Sequence, residues 1–286
     1  MPANKINWYP GHMAKTRRLL QDQLRAVDAV IELCDARAPQ ATRNADLQRL
    51  TKDKTRILVL NKADLADDRE TTRWLETFRC QGYVAMRFNS NGGKVKEILG
   101  KIEEASRPAL ERYAARGVRK TIRFMVTGIP NVGKSTFINR LHGSAIVKAS
   151  DRPGITRANQ WVRLGPYLEI LDTPGMLPPR LDDQEEAKLL AYLGSIRDQI
   201  MDTEELAGGL LRLLYDLNPS ATAARFKLQL PESAEAAPHA LLEAACRGRG
   251  WLLSGGRLDT DRAAALVLDE FRAGKVGKIT IEPCGD

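Results

Sequence analysis

Long apolar segments are missing from this 286-residue sequence, and no run reaches the roughly 20 residues that a membrane-spanning helix requires. Cysteine is scarce, and the four cysteines form no Cys-x-x-Cys pair, which argues against a disulfide framework or a zinc site. A secretion signal, an internal repeat and a prenylation motif are also missing. We therefore expect a cytoplasmic protein without a membrane anchor, with reduced thiols at Cys34, Cys80, Cys246 and Cys284.

Positive charge is unevenly distributed along the chain, whose formal net charge is +8. Residues 1 to 178 contain 31 lysines and arginines against 18 acidic residues, whereas residues 179 to 286 contain 13 against 18. Such a basic excess predicts a phosphate-rich partner such as RNA, although solvated arginine-rich helix faces are also common. The basic clusters are Lys5, Lys15, Arg17 and Arg18, then Arg37 and Arg43, then Arg112, Arg116, Arg119, Lys120 and Arg123.

A phosphate-binding loop is indicated at residues 128 to 135, which read Gly-Ile-Pro-Asn-Val-Gly-Lys-Ser. Alternating apolar residues before it predict a strand and apolar spacing after it predicts a helix, so the loop N–H groups would face phosphates at a helix N-terminus. Lys134 would reach the terminal phosphates, and the Ser135 hydroxyl would bind Mg²⁺. The predicted nucleotide-binding residues of this loop are Gly128, Asn131, Val132, Gly133, Lys134, Ser135 and Thr136.

The base is predicted from Asn61-Lys62-Ala63-Asp64, which follows the apolar run 57 to 60. One carboxylate can accept both the N1–H and N2–H donors of guanine, whereas adenine would leave it unpaired. Asp64 therefore favours GTP over ATP and argues against an ATP-dependent kinase. We expect Asn61 to contact the purine edge, the Lys62 stem to lie against the ring, and Asn89 and Ser90 to form the remaining base-contacting loop.

Two further segments complete a guanine-nucleotide site. Asp172 ends the apolar run 168 to 171 and is predicted to lie near Mg²⁺, while Gly175 would offer its N–H to a γ-phosphate. Thr156 lies between the phosphate-binding loop and Asp172, where GTPases place a threonine that senses Mg²⁺ and γ-phosphate. Thr156 could alternatively be an ordinary turn residue without a role in the site. The predicted Mg²⁺ ligands are thus Ser135, Thr156 and Asp172.

The motif order is the reverse of the usual GTPase order, because the guanine motif precedes the phosphate-binding loop. The chain resembles the ribosome biogenesis GTPase A family, the YlqF-like circularly permuted GTPases of bacteria. Beyond the permuted motifs, the resemblance rests on residues 7 to 15 (Asn-Trp-Tyr-Pro-Gly-His-Met-Ala-Lys), 35 to 39 (Asp-Ala-Arg-Ala-Pro) and 253 to 256 (Leu-Ser-Gly-Gly). It implies a factor in late assembly of the large (50S) ribosomal subunit, whose partners are that subunit or its precursor, its rRNA and ribosomal proteins.

The resemblance also implies how hydrolysis proceeds. Met176 stands where many GTPases have a glutamine that orients water, so the resemblance points to His12 for that role, with Lys134, Thr156 and Gly175 as the other catalytic residues. His12 could instead cap or stiffen the following helix. Asn131 is expected to help bind K⁺ beside the phosphates, unless it is only a turn residue. Hydrolysis would be slow alone and stimulated by the ribosomal subunit.

The expected fold class is α/β. Residues 1 to 178 are predicted to form a circularly permuted GTPase domain with a doubly wound, mostly parallel sheet, and residues 179 to 286 a small helical domain. The resemblance implies that this helical domain binds RNA. Predicted β-rich runs lie near 27–34, 56–60, 83–88, 121–127 and 160–171. We expect a monomer. The alternative function is a nucleotide-switched signalling GTPase that recruits proteins without RNA.

Overall fold

The computed structural model describes residues 20–51, 54–89, 92–143, 160–165, 168–173, 183–196, 202–229 and 236–285. The strands are β1 (Ala29–Asp35), β2 (Thr55–Asn61), β3 (Val84–Arg87), β4 (Ile122–Thr127), β5 (Gln160–Gly165) and β6 (Leu168–Asp172). The helices of the first half are α1 (residues 20–25), α2 (Ala45–Leu50), α3 (Asp68–Cys80), α4 (Val95–Ala114) and α5 (Lys134–His142). Those of the second half are α6 (Gln184–Tyr192), α7 (Thr203–Leu217), α8 (Pro219–Phe226), α9 (Pro238–Arg249) and α10 (Thr260–Arg272).

The strands form one six-stranded sheet with the order β3-β2-β1-β4-β6-β5. All neighbouring pairs are parallel except β5 and β6, which are antiparallel. The predicted doubly wound, mostly parallel sheet is therefore confirmed, and the β-rich run expected at 160–171 contains two strands, β5 and β6. The carboxyl ends of the parallel strands β1, β2, β4 and β6 lie at one edge of the sheet, where ligands bind in folds of this type.

Helices cover both faces of the sheet, and the strand residues alternate between them. Ile31, Val59 and Phe124 lie in the core beneath α4 and α5. Leu58 and Leu60 face α3, whose Trp74 and Phe78 rings stack with centroids 5.2 Å apart. The central strands β1, β2 and β4 are largely buried on both faces and are mostly apolar, whereas Val84 of β3 and Trp161 of β5 are exposed at the two edges of the sheet.

The second half is helical, and its helix starts follow from side-chain capping. Asp183, Asp202, Asn218 and Asp259 each accept backbone N–H groups at the first turn of α6, α7, α8 and α10. Its core contains leucines of α7 and α9 together with Ala38 and Ala41 from the loop after β1. Among the described residues, the structure has no helix both long and apolar enough to cross a bilayer.

Helix α6 packs on both halves of the molecule. Its Ala187 and Leu190 belong to the core under the sheet, whereas Ala191 and Tyr192 belong to the core of the helical half. The predicted domain boundary at residue 178 lies outside the described residues and stays a prediction. After α10, residues 273–285 return to the sheet half; we call this segment the C-terminal strap.

Candidate functional site

The loop between β4 and α5 is held close to two neighbouring segments by its glycines. A Cβ atom at Gly128 would lie 2.5 Å from the Leu33 carbonyl oxygen, and one at Gly133, whose φ is 92°, would lie 2.6 Å from Asn61 Nδ2. Asn131 also has a positive φ of 64°. Only glycine fits such close backbone approaches, so the two glycines fix the loop against β1 and β2.

The predicted guanine motif is bonded directly to this loop. Asn61 Nδ2 donates to the Val132 carbonyl at 2.8 Å, across 71 positions of sequence. Lys62, with φ at 58°, donates from Nζ to the Asn131 carbonyl at 2.7 Å. The two motifs that sequence order separates thus form one continuous site at the ends of β2 and β4.

A buried ionic network supports this side of the site. Asp35 Oδ2 lies 3.0 Å from Lys62 Nζ and 2.8 Å from Arg37 Nη2, and Arg37 Nε donates to Asp35 Oδ1 at 2.9 Å. Burial by itself would raise the pKa of Asp35, but the Arg37 guanidinium and the Lys62 ammonium hold it well below its usual range. Arg37 is 1% exposed and also donates to the Phe271 and Arg272 carbonyls, each at 3.3 Å.

The sequence analysis gave Asp35 no separate role and counted Arg37 and Arg43 among the basic groups expected to meet a phosphate-rich partner. That expectation is wrong for these two arginines, because both are buried, Arg37 against Asp35 and Arg43 against Glu32.

The second predicted base-contacting segment follows β3 and lies beside the guanine motif. Phe88 N–H donates to the Leu60 carbonyl at 2.8 Å, and Ala63 N–H donates to the Phe88 carbonyl at 3.2 Å. Asn89 therefore comes next to the start of the guanine loop, and its carbonyl accepts the Gly93 N–H at 2.6 Å. Ser90 lies outside the described residues.

The phosphate side carries a lysine and an aspartate with opposed pKa shifts. Lys134, 7% exposed, donates from Nζ to the Ile129 carbonyl at 2.9 Å and the Gly128 carbonyl at 3.1 Å. Burial lowers the pKa of Lys134 to about 8, against the attraction of Asp172. Burial raises the pKa of Asp172 to about 6, against the Lys134 ammonium and the nearby Thr173 backbone N–H. Burial thus disfavours the charged form of both groups, and a bound ion of opposite charge would stabilise each of them.

Asp172 supplies the test of whether a cation fits here. Its side chain is fully buried, and within the described residues neither carboxylate oxygen has a hydrogen-bond partner. A buried carboxylate without partners is costly, and oxygen ligands of this kind suit Mg²⁺. Asp172 stands next to Thr173, whose hydroxyl donates to the Val126 carbonyl at 2.7 Å and fixes the end of β6 against β4. The residues therefore fit a bound Mg²⁺.

Known proteins resemble this chain over nearly its whole length. The family described as "50S ribosome-binding GTPase" matches residues 123–213. Ribosome biogenesis GTPase A of Bacillus cereus is 41% identical over 280 residues, covering 97% of this chain and 93% of the relative. The protein of the same name from Thermotoga maritima is 32% identical and is covered to 94%. This chain belongs to the ribosome biogenesis GTPase A family.

Solved structures of the family agree with the fold. A GDP-bound structure of TM YlqF has a TM-score of 0.70 at 29% identity and covers 94% of this chain and 100% of its own. GNP-bound YlqF from T. maritima has a TM-score of 0.66 at 29% identity and is covered to 98%. As a member of ribosome biogenesis GTPase A, the chain binds guanine nucleotide, hydrolyses GTP and acts in ribosome biogenesis.

The structure places some of the predicted site residues of this GTPase and leaves others outside its description. Ser135 and Thr136 lie in the first turn of α5, and their roles stay predictions. Asp64 is half-buried in the loop between β2 and α3. His12, Ser90, Thr156 and Gly175 lie outside the described residues, and their roles stay predictions.

Proposed function

We propose that Asp64 reads guanine, that residues 128–136 bind the phosphates, and that Asn61, Lys62, Asn89 and Ser90 complete the base site. The observation that carries this proposal is the direct bonding of the guanine motif to the phosphate loop, through Asn61 to Val132 and Lys62 to Asn131. It sets the distance between base-reading and phosphate-binding groups, as one nucleotide requires.

Mg²⁺ would be held by Ser135, Asp172 and Thr156. The buried, unpartnered carboxylate of Asp172 supports this assignment among the described residues. When bound, Mg²⁺ neutralises charge on the phosphates. Lys134 would exchange its two carbonyl partners for phosphate oxygens, a stronger, charge-assisted contact.

For hydrolysis we keep His12 as the residue that positions water, with Thr156 and the Gly175 N–H on the γ-phosphate. Replacing His12 with Ala is expected to abolish stimulated hydrolysis while sparing GTP binding. Survival of both activities would remove His12 from the mechanism.

A K⁺ ion beside Asn131 belongs to the same proposal. The Asn131 amide nitrogen donates to the Gly194 carbonyl at 2.7 Å, so the Asn131 amide oxygen is the atom that would bind K⁺. Equal hydrolysis rates in Na⁺ and K⁺ would exclude that ion.

The ribosomal partner is proposed to be the large subunit or its precursor, contacted through rRNA by both residues 1–178 and the helical domain 179–286. The family description, "50S ribosome-binding GTPase", and the basic residues of the sheet half support this. Arg123 stacks over Trp161, 5.1 Å from its ring centroid, and this tryptophan is 43% exposed at the sheet edge. Exposed Arg116 and Arg119 lie close by in sequence. Cationic and aromatic groups together suit a nucleic-acid backbone and its bases.

Co-sedimentation with purified large subunits tests this function. The protein is incubated with mature and precursor subunits and either a non-hydrolysable GTP analogue or GDP, and GTP hydrolysis is followed in parallel. Analogue-dependent binding with stimulated hydrolysis is expected. If neither subunit binding nor stimulated hydrolysis is found, the protein would still be a GTPase, but the ribosomal partner would be excluded. The alternative, a nucleotide-switched GTPase that recruits proteins, would then be favoured.

A further inference from the structure

The C-terminal strap, residues 273–285, makes backbone contacts with the loop that carries Asp64. Ile279 N–H donates to the Leu65 carbonyl at 3.1 Å. Asp67 N–H donates to Thr280 Oγ1 at 3.1 Å. Gly274, with φ at 70°, lies so close that a Cβ atom there would be 2.5 Å from Leu65 Cδ2. Two residues within three positions of Asp64 are therefore held by the opposite end of the chain.

The strap is itself fixed to the loop after β1. Ile281 N–H donates to the Arg37 carbonyl at 2.8 Å. The Glu282 carboxylate accepts the Gln40 N–H at 2.7 Å and the Ala41 N–H at 3.0 Å. Arg37 in turn pairs with Asp35, which pairs with Lys62 of the guanine motif. The strap thus lies between two segments that both end at the base site.

Helix α3 anchors the far end of the strap. Trp74 Nε1 donates to the Glu282 carbonyl at 2.9 Å, and Cys284 N–H donates to Glu70 Oε2 at 2.7 Å. The Cys284 side chain is buried with Trp74 in the core beneath α3. Asp67 caps α3 by accepting the Arg69 and Glu70 N–H groups, so the loop with Asp64 ends on a fixed helix start. The strap has little freedom to move without these elements.

We propose that Ile279 and Thr280 are positioning residues for guanine recognition. The loop from Asn61 to Asp67 is tied at its start by the phosphate loop and at its end by the strap, which leaves Asp64 between two fixed points. A bidentate contact requires placement within about 0.5 Å, and a loop that is ordered beforehand does not lose its freedom when the base binds. This inference rests on the proposed role of Asp64.

The arrangement couples guanine affinity to the position of the helical half. The strap follows α10 without a break, and Arg37 donates to the Phe271 and Arg272 carbonyls at the end of that helix. A partner that shifts α10 would therefore loosen the base contact, and by reciprocity guanine binding would hold α10 in place.

The test compares Thr280→Val, which removes the acceptor for Asp67 N–H, with Thr280→Ser, which keeps it. Affinities for GDP and for inosine diphosphate, which lacks the exocyclic amine, are measured for the full chain. Thr280→Val is expected to weaken GDP binding about three- to tenfold, as the loss of one hydrogen bond does, and to shrink the preference for GDP over inosine diphosphate. Thr280→Ser is expected to restore both.

Lys278→Ala is the matched control, since Lys278 lies in the strap and, among the described residues, pairs only with exposed Asp68, at 2.9 Å. It should change neither the affinity nor the preference. Unchanged nucleotide preference in folded Thr280→Val would overturn the proposal, because a purely structural strap alters the melting temperature alone. Should Thr280→Val not fold, amide hydrogen exchange of the wild type decides: Asp67 N–H must be protected without nucleotide, and rapid exchange there refutes the proposal.

A third variant separates this inference from the site assignment. Asp64→Asn presents an amide that matches xanthine, which has an oxygen in place of the exocyclic amine, so preference should move from GDP to xanthosine diphosphate. If it does not, Asp64 is not the guanine reader and both proposals fail. If it does while Thr280→Val changes nothing, only the strap proposal fails.

Discussion

The base side and the phosphate side of the nucleotide site occupy the same edge of one sheet, yet their charged groups are paired to different degrees. On the base side, Asp35 is matched by Arg37 and Lys62, and all three are bonded to fixed neighbours. On the phosphate side, Asp172 is buried without a hydrogen-bond partner in the described part of the chain. A protein that binds a charged ligand can therefore complete one side of its site in advance and leave the other for the ligand.

This difference has a thermodynamic meaning. Unpaired buried charge destabilises the folded state, and a ligand that supplies the missing charge returns that free energy as affinity. On the base side a ligand gains little free energy in this way, because the charges of Asp35, Arg37 and Lys62 are already paired. This side contributes selectivity through its fixed geometry instead. Four changes would break or sharpen the contrast.

The largest effect is expected from Lys134→Met on the phosphate side. The loss of charge-assisted contacts to phosphate should weaken GDP and GTP binding about 10³-fold, or about 4 kcal/mol. The nucleotide-free protein should become no less stable, because burial disfavours the Lys134 ammonium and lowers its pKa to about 8. Calorimetric titration and urea unfolding measure the two quantities, with exposed Lys101→Met as the control. A loss of stability without nucleotide would contradict the contrast.

Arg37→Met is the corresponding change on the base side, and it should lower the stability of the nucleotide-free protein. Removing one partner of a buried pair leaves Asp35 with Lys62 alone, which should cost about 3 kcal/mol of unfolding free energy. Urea unfolding measures it, and Arg87→Met, which breaks an exposed pair with Asp68, should cost under about 0.5 kcal/mol. The double variant Asp35→Asn, Arg37→Met should recover part of the loss. Equal unfolding of Arg37→Met and wild type would show that the network is not stabilising.

Asp172→Asn should reveal itself in the pH dependence of stability. The folded-state pKa of Asp172 is about 6, above the ordinary aspartate value of 3.8, so the stability that this group contributes is present at low pH and lost as pH rises through 6. The variant should therefore exceed the nucleotide-free wild type by on the order of 2–3 kcal/mol at pH 8, and by about half of that at pH 5. Urea unfolding at both pH values, with exposed Asp261→Asn as control, measures the difference. A stability difference that does not depend on pH would mean that the pKa of Asp172 is not raised in the folded protein.

Asn131→Gly should have the smallest effect. The change keeps the positive φ and removes the hydrogen bond from the amide to the Gly194 carbonyl, which joins the phosphate loop to the end of α6. A loss of about 1 kcal/mol is expected in thermal unfolding of the nucleotide-free protein. A loss several times larger would mean that the phosphate loop depends on the helical half more than this single contact indicates.

The sequence predicted those parts of the fold and site whose causes are local. Short β-rich apolar runs located β1 to β4, and the glycines at 128 and 133 marked the loop because only glycine permits its close approaches. The run 160–171 was predicted only as β-rich, although Gly165-Pro166 is a turn signal; it contains the two antiparallel strands β5 and β6.

The remaining features depend on contacts between distant segments and leave no periodic pattern. Asp-Ala-Arg-Ala-Pro was visible as a family motif, but the role of Arg37 comes from carbonyls 234 and 235 positions later. The strap has neither helical nor strand periodicity, because its backbone bonds go to Leu65 and Arg37. Such pairings arise only once both halves are assembled.

Helix α6 carries a consequence for how the chain folds. It gives Ala187 and Leu190 to one core and Ala191 and Tyr192 to the other, so neither core is complete until this helix has docked on both. Partial unfolding of one half would strip the helix from the other and expose apolar surface there. The two halves should accordingly melt as a single cooperative unit, and a protease that cuts within α6 should unfold the whole molecule.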